Sequence, residues 1–274
     1  MTILSPRRRA SDSGSIERQA LLPTCTNNGG DESLVRLDEV PTLETEIDLS
    51  PAACHALTAW GARVGQVVTV VDTEASLYRA RVSRFDGSVG TLVPFERLAG
   101  EQRDRVRIEV YQALPEKERF ELVLEKLTEL GVDRIAPFQA TRSISLEERD
   151  ARQKKSHRWP EVVLRAARQC RRAELPELYP MLSWDEATWL ANQADLKLML
   201  LENGAPWLLR DALEQKPLRI SMLVGPEGGF TPEEVAEVTA LGFLPVSLGP
   251  RILRTETAAL TAAAIIQYQF GDIG

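Results

Sequence analysis

The chain is poor in sulfur and imidazole, with three cysteines (Cys25, Cys54, Cys170) and two histidines (His55, His157) in 274 residues. They show neither disulfide nor metal-ligand spacing, which argues against a disulfide scaffold or a structural zinc site and points to a reducing, cytoplasmic compartment. Long apolar runs are also missing: "LMLL" and "AALTAAAII" fall far short of the ~20 residues that span a bilayer, so no membrane partner is expected. Positive charge is in deficit, with 33 Lys and Arg against 40 Asp and Glu and a net charge of −7, so the protein is not generally adhesive to nucleic acid. No glycine loop is followed by Lys-Ser or Lys-Thr, and none has the G-x-G-x-x-G spacing, which disfavours a nucleotide phosphate site. What is present, 43% hydrophobic and 27% charged residues, describes a globular protein with one large domain or two ordinary ones.

Residues 1–32 are rich in Ser, Asn, Gly and charge without an apolar period, and read as an unstructured tail. Residues 33–113 carry the stretches "QVVTVVD", "LYRARVSRF", "VGTLV" and "RVRIEVYQA" between short polar turns, the pattern of a small β-barrel or compact sheet. The remainder, 114–274, changes period. Phe120, Val123, Leu124, Leu127 and Leu130 recur at helical spacing and Gly131 stops the helix. A second helix is expected at 159–172 and an alanine-rich one at 256–269. Between them "LKLMLL", "RISMLVG" and "FLPVSLG" read as short buried strands alternating with helices, which makes the second part an α/β domain with a largely parallel sheet.

Two strands end in glycine-proline bends. After "ISMLVG" comes "GPEGGF", and then Thr231, Pro232 and Glu234, which form a helix-start signal with a capping box. "VSLG" leads into "GPRILRTETAAL", with a helix starting near Thr255. Bends at the carboxyl ends of parallel strands are where open α/β sheets bind ligands, and backbone N–H and C=O groups there suit a flat heteroaromatic such as adenine. Leu201 and Glu202, at the end of a third strand, would add a wall. Glycines in such loops serve equally to turn the chain, and spacing alone leaves both roles open. Residues 152–172 hold eight basic side chains (Arg152, Lys154, Lys155, Arg158, Arg165, Arg168, Arg171, Arg172) against one acid, Glu161, and this is either a nucleic-acid contact or a solvated face.

In order, "LEKLTELGVDRIAPF", "RWPEVVLRAARQCRRAELPEL", "LVGPEGGFTPEEV" and "LGPRILRTETAAL" closely resemble the RsmE family, the 16S ribosomal RNA uracil-N3 methyltransferases of the SPOUT superfamily. The resemblance implies a PUA-like β-barrel that helps bind RNA, then a SPOUT methyltransferase domain with a C-terminal trefoil knot. It also implies S-adenosyl-L-methionine as cofactor, ribosomal RNA in the small subunit as partner, and a homodimer whose contact uses the last helix, where Ala258, Ala259 and 262–264 permit close packing and serve equally as core. Carried over by position, the cofactor residues are Leu201, Glu202, Gly225, Pro226, Glu227, Gly228, Gly229, Leu248, Gly249, Ile252, Leu253, Arg254 and Thr255. Loss of the imide proton places negative charge on the uracil oxygens. Arg254 is the candidate to stabilise it and Glu256 the candidate to accept the proton. Phosphate contacts fall to Arg142, Arg158, Arg165, Arg168, Arg171 and Arg172. The chain departs from the family at Gly61, where an arginine is common, at Glu116, where a lysine is common, and at Arg165 and Arg168, where acids are common.

Overall fold

A computed structural model describes residues 24–101, 105–115, 119–152 and 156–273. Most of the expected tail, Glu116, Lys154, Lys155 and the Arg152 side chain lie outside them.

The first domain is an antiparallel sheet of β1 (Ile47–Asp48), β2 (Val67–Val71), β3 (Ser76–Phe85) and β4 (Gly90–Glu101), in the order β1-β4-β3-β2. Between β1 and β2 runs α1 (Pro51–Ala59), started by Ser50, whose hydroxyl accepts from the Ala53 amide, and by Pro51 in its first turn. Leu57 and Trp60 pack with Val70, Ala80, Val82 and Leu92 under the sheet.

The second domain is built on seven parallel strands. In chain order they are β5 (Arg107–Ala113), β6 (Arg134–Phe138), β7 (Glu177–Leu178), β8 (Leu196–Leu200), β9 (Trp207–Leu208), β10 (Arg219–Val224) and β11 (Leu244–Ser247). Their spatial order is β7-β6-β5-β10-β8-β11-β9, so β8, β10 and β11 are neighbours although other elements separate them in sequence. The helices are α2 (Arg119–Glu129), α3 (Leu146–Arg152), α4 (Trp159–Cys170), α5 (Trp184–Ala191), α6 (Leu209–Ala212), α7 (Pro232–Ala240) and α8 (Thr255–Phe270). One sheet face packs Ile108, Val110, Ile220 and Met222 against Phe120, Leu124, Val163 and Ile266 of α2, α4 and α8. The other packs Tyr111, Met199 and Leu223 against Leu190 of α5 and Val238 of α7. Burial on both faces is why these strands read as continuous apolar runs. No helix among the described residues is long and apolar enough to cross a membrane.

Two expectations need correction. β5, assigned from sequence to the first domain, pairs with β6 and β10 inside the parallel sheet, so the second domain begins before residue 114. Residues 24–32 are docked rather than loose. The Thr26 amide donates to the Leu178 carbonyl at 2.8 Å, the Asn27 side chain to the Pro176 carbonyl at 2.8 Å, and the Gly30 amide to the Leu175 carbonyl at 2.8 Å. Short polar side chains here complete the hydrogen bonding beside β7, a role that leaves no apolar period to detect. Of the alanines read as either dimer contact or core, Ala259, Ala262 and Ala263 face the core, and the outward apolar side chains of α8 are Ile265 and Tyr268.

The two departures at Gly61 and Arg168 meet in space. Arg168, on α4, donates to the carbonyl of Gly61 at 2.9 Å and to that of Trp60 through Nε at 3.0 Å, joining the domains. Gly61 sits at φ +51°, and a Cβ on it would lie 2.8 Å from the Arg168 guanidinium.

Candidate active site

The carboxyl ends of β8, β10 and β11 open onto one cleft of ≈240 Å³. Of the thirteen residues expected at the cofactor, every one except Gly228 lines it. Gly228 turns the other way, with the place of its absent Cβ 3.4 Å from Arg142 Cβ.

Each loop is held from outside the cleft. In the 225–229 loop, the Gly229 amide donates to the Pro226 carbonyl at 2.9 Å and Gly229 takes φ +65°. The capping box forms as read: the Thr231 amide donates to Glu234 at 2.8 Å and the Glu234 amide to the Thr231 hydroxyl at 3.2 Å. The second Glu234 oxygen accepts from the Thr141 amide at 2.8 Å, and Arg142 donates to the Gly228 carbonyl at 2.9 Å. Arg142 therefore spends donors on latching the glycine loop. In the next loop Gly249 takes φ +113°, which L side chains rarely adopt, and its amide donates to the Ser247 hydroxyl at 3.2 Å. Nothing lies within 4 Å of a Cβ built on Gly229 or Gly249, so both backbones border open space.

Thr255 ties the two loops together. Its buried hydroxyl donates to the Gly225 carbonyl and accepts from the Gln112 side chain at 2.9 Å, Gln112 standing near the end of β5. Arg254 is the residue before α8 and exposes its guanidinium at the cleft, with no hydrogen bond or ion pair among the described residues. Glu256 is placed differently from the expectation. It is buried outside the lining, with one carboxylate oxygen 3.6 Å from Arg119 Nε and the other without a hydrogen-bond partner among the described residues. Arg119 itself lines the cleft and also reaches Glu227 at 3.5 Å, joining the glycine loop to α8. Arg251 lies within the 248–255 loop expected at the cofactor and also lines the cleft, whereas Arg119 is a lining residue the sequence reading missed, since no local pattern marks it.

The six arginines expected at RNA separate into groups. Arg158, Arg165 and Arg171 are exposed. Arg172 donates to the carbonyls of Thr128 at 3.0 Å and Val132 at 2.8 Å, and burial pulls it below the ordinary arginine value. Arg142 and Arg168 make the loop and interdomain contacts described above.

The RNA methyltransferase domain family matches residues 102–267. A ribosomal RNA small subunit methyltransferase E of Mycobacterium bovis is 33% identical over 215 residues, 77% of this chain and 82% of that one. A crystal structure of a ribosomal RNA small subunit methyltransferase E from Neisseria gonorrhoeae, bound to S-adenosyl methionine, superposes with a TM-score of 0.61 at 29% identity, covering 87% of this chain and 98% of that one. A methyltransferase from Legionella pneumophila in complex with the same cofactor gives a TM-score of 0.60 at 31% identity over 88% of this chain and 99% of that one.

Proposed function

The chain belongs to the ribosomal RNA small subunit methyltransferase E family, and from that premise we propose that it methylates N3 of a uridine in 16S ribosomal RNA. It is an S-adenosylmethionine-dependent RNA methyltransferase. The observation that carries the reading is the convergence of three loops from adjacent parallel strands on one cleft where Arg254 is exposed, its side chain unpaired among the described residues.

The cleft fits the cofactor. Backbone at Gly225, Leu248 and Leu253 supplies edge hydrogen-bonding groups, Leu201, Val224 and Ala258 supply apolar walls, and Gly249 borders the open space in a conformation that requires glycine. When bound, S-adenosylmethionine supplies an electrophilic methyl group on a sulfonium. The protein's part is to hold the uracil N3 in line with it and to stabilise the charge left on the uracil oxygens as the N3 proton passes to solvent water at the open cleft. Arg254 takes the second role, because its side-chain donors have no partner among the described residues and face the cleft. Glu256 acts through Arg119, holding that guanidinium at the cleft wall while Thr255 fixes the spacing of the two loops.

The exposed Arg158, Arg165 and Arg171 take RNA phosphates. A homodimer formed on the outward face of α8, where Tyr268 is 72% exposed, and the trefoil knot belong to the same proposal. The test is turnover by Arg254→Ala alongside calorimetric cofactor binding. Losing one charge-stabilising donor lowers kcat about 100- to 1000-fold while the fold is retained. Unchanged turnover removes Arg254 from the reaction.

A further inference from the structure

A second cavity, of ≈200 Å³, lies where the first domain meets α4, away from the methyl-transfer cleft. Trp60, Gln66 and Thr69 line one side and Arg168, Arg171 and Arg172 the other, and no carboxylate is among its lining residues within the described chain.

The charges around it do not balance. Arg168 spends donors on two neutral carbonyls, and the charged group acting on it is another cation, Arg63; burial and this neighbour both lower its pKa. Arg79 donates to the Arg171 carbonyl at 2.6 Å, which sets its guanidinium close enough to that of Arg171 for the two to repel. Glu96 acts on Arg79, and Asp133 and Glu174 act on Arg172. The Arg63 and Arg171 side chains have no hydrogen bond or ion pair among the described residues, and Arg168 has no acidic partner there. Like charges held together on a partly desolvated surface cost free energy that a bound anion recovers, and the planar guanidinium fork matches phosphate oxygens. On α4 the exposed Glu161 stands between Arg158 and Arg165, and Arg165 shares a surface hollow with Glu125 and Glu129 of α2, so the unbalanced positive charge is confined to the cavity, and the phosphate source is the one that the RNA methyltransferase reading supplies.

We propose that this interdomain cavity grips a backbone phosphate of the RNA substrate, anchoring the strand across both domains away from the reacting base. The inference rests on the RNA methyltransferase reading.

Arg171→Asn is the variant of choice. Arg171 sits at φ +57°, a conformation asparagine tolerates, and its side chain makes no internal bond among the described residues. Two measurements on the full chain decide the matter. One is oligouridylate binding as a function of salt. The variant is expected to bind about tenfold more weakly and to reduce the salt slope by about 0.7, the value of one single-strand phosphate contact. The other is thermal unfolding in inorganic phosphate against chloride at equal ionic strength. Phosphate raises the Tm of the wild type and of the control Arg84→Gln, an exposed arginine of β3 outside the cavity lining, and the gain vanishes in Arg171→Asn.

Phosphate stabilisation with an unchanged salt slope would mean that the cavity takes a free phosphate group, overturning the RNA assignment. A changed slope without phosphate stabilisation would make Arg171 an ordinary surface charge and overturn the cavity. Neither effect overturns both. Failure of the methyltransferase reading is separate, because it shows as no methylated product from the wild type.

Discussion

Replacing Thr255 by valine keeps the shape of the side chain and removes one hydroxyl. That hydroxyl sits between three elements: it donates to the Gly225 carbonyl in the glycine loop, it accepts from Gln112 at 2.9 Å, and it belongs to the first residue of α8. Gln112 is fully buried and its amide keeps one other acceptor, the Ala113 carbonyl at 3.0 Å. The main loss is therefore at Gln112, whose second amide hydrogen is left without an acceptor in the interior, while the Gly225 carbonyl, at the wall of the open cleft, loses its hydroxyl donor. A buried polar group stripped of its partner costs about 1–3 kcal/mol. At roughly 2–4 °C per kcal/mol for a chain of this size, a mid-range loss lowers Tm by about 4–8 °C. Because the bond spans two walls of the cleft, cofactor affinity falls too, about tenfold for each ~1.4 kcal/mol that appears in the loop spacing. Thermal unfolding and calorimetric cofactor titration read the two effects, and Thr255→Ser, which keeps the hydroxyl, is expected to restore both. Wild-type Tm and affinity in Thr255→Val would refute the idea that this hydroxyl couples the loops.

Three further outcomes follow from the geometry. Gly249→Ala forces an L residue to φ +113°, with an expected strain of about 1–3 kcal/mol and weaker cofactor binding; unchanged calorimetric affinity would show that this backbone does not border the ligand. Arg119→Ala releases Glu227 and Glu256 and should raise the cofactor Kd, whereas Arg119→Lys should recover part of the loss; equal affinities for both variants and wild type would deny the bridge. Arg168→Glu breaks the contact to Trp60 and Gly61 and lowers stability, and Gly61→Arg, strained at φ +51°, costs less in the Arg168→Glu background than in the wild type, where it also meets the Arg168 guanidinium. A double-mutant cycle is expected to show about 1 kcal/mol or more of coupling, and strict additivity would contradict the contact.

The loops that frame the cleft were legible because their signals are local, whereas their assignment to a cofactor came from the family resemblance. Thr231, Pro232 and Glu234 mark a helix start within a few residues, and the apolar runs before Gly225 and Gly249 mark strands buried on both faces. β5 was misplaced for the opposite reason. Arg107 and Glu109 give it the alternation of a half-exposed strand, yet Glu109 is buried and held at 3.0 Å by Arg134, 3.5 Å by Arg219 and 2.9 Å by the Tyr111 hydroxyl. Those partners come from three strands, so only the assembled sheet reveals the charge as interior. The same limit applies to Arg119, whose carboxylate partners lie more than a hundred residues away, and to Arg172, which looks like its exposed neighbours until Thr128 and Val132 present their carbonyls. Gly61 and Arg168 read as two separate departures in sequence, and become one contact once α1 and α4 pack together.

The most direct test of the account is incubation of the purified protein with labelled S-adenosylmethionine and small ribosomal subunits that lack native methylation, followed by nucleoside analysis of the RNA. The expected product is 3-methyluridine in 16S ribosomal RNA. Label on another nucleoside, or no label from a protein that binds the cofactor, would contradict it.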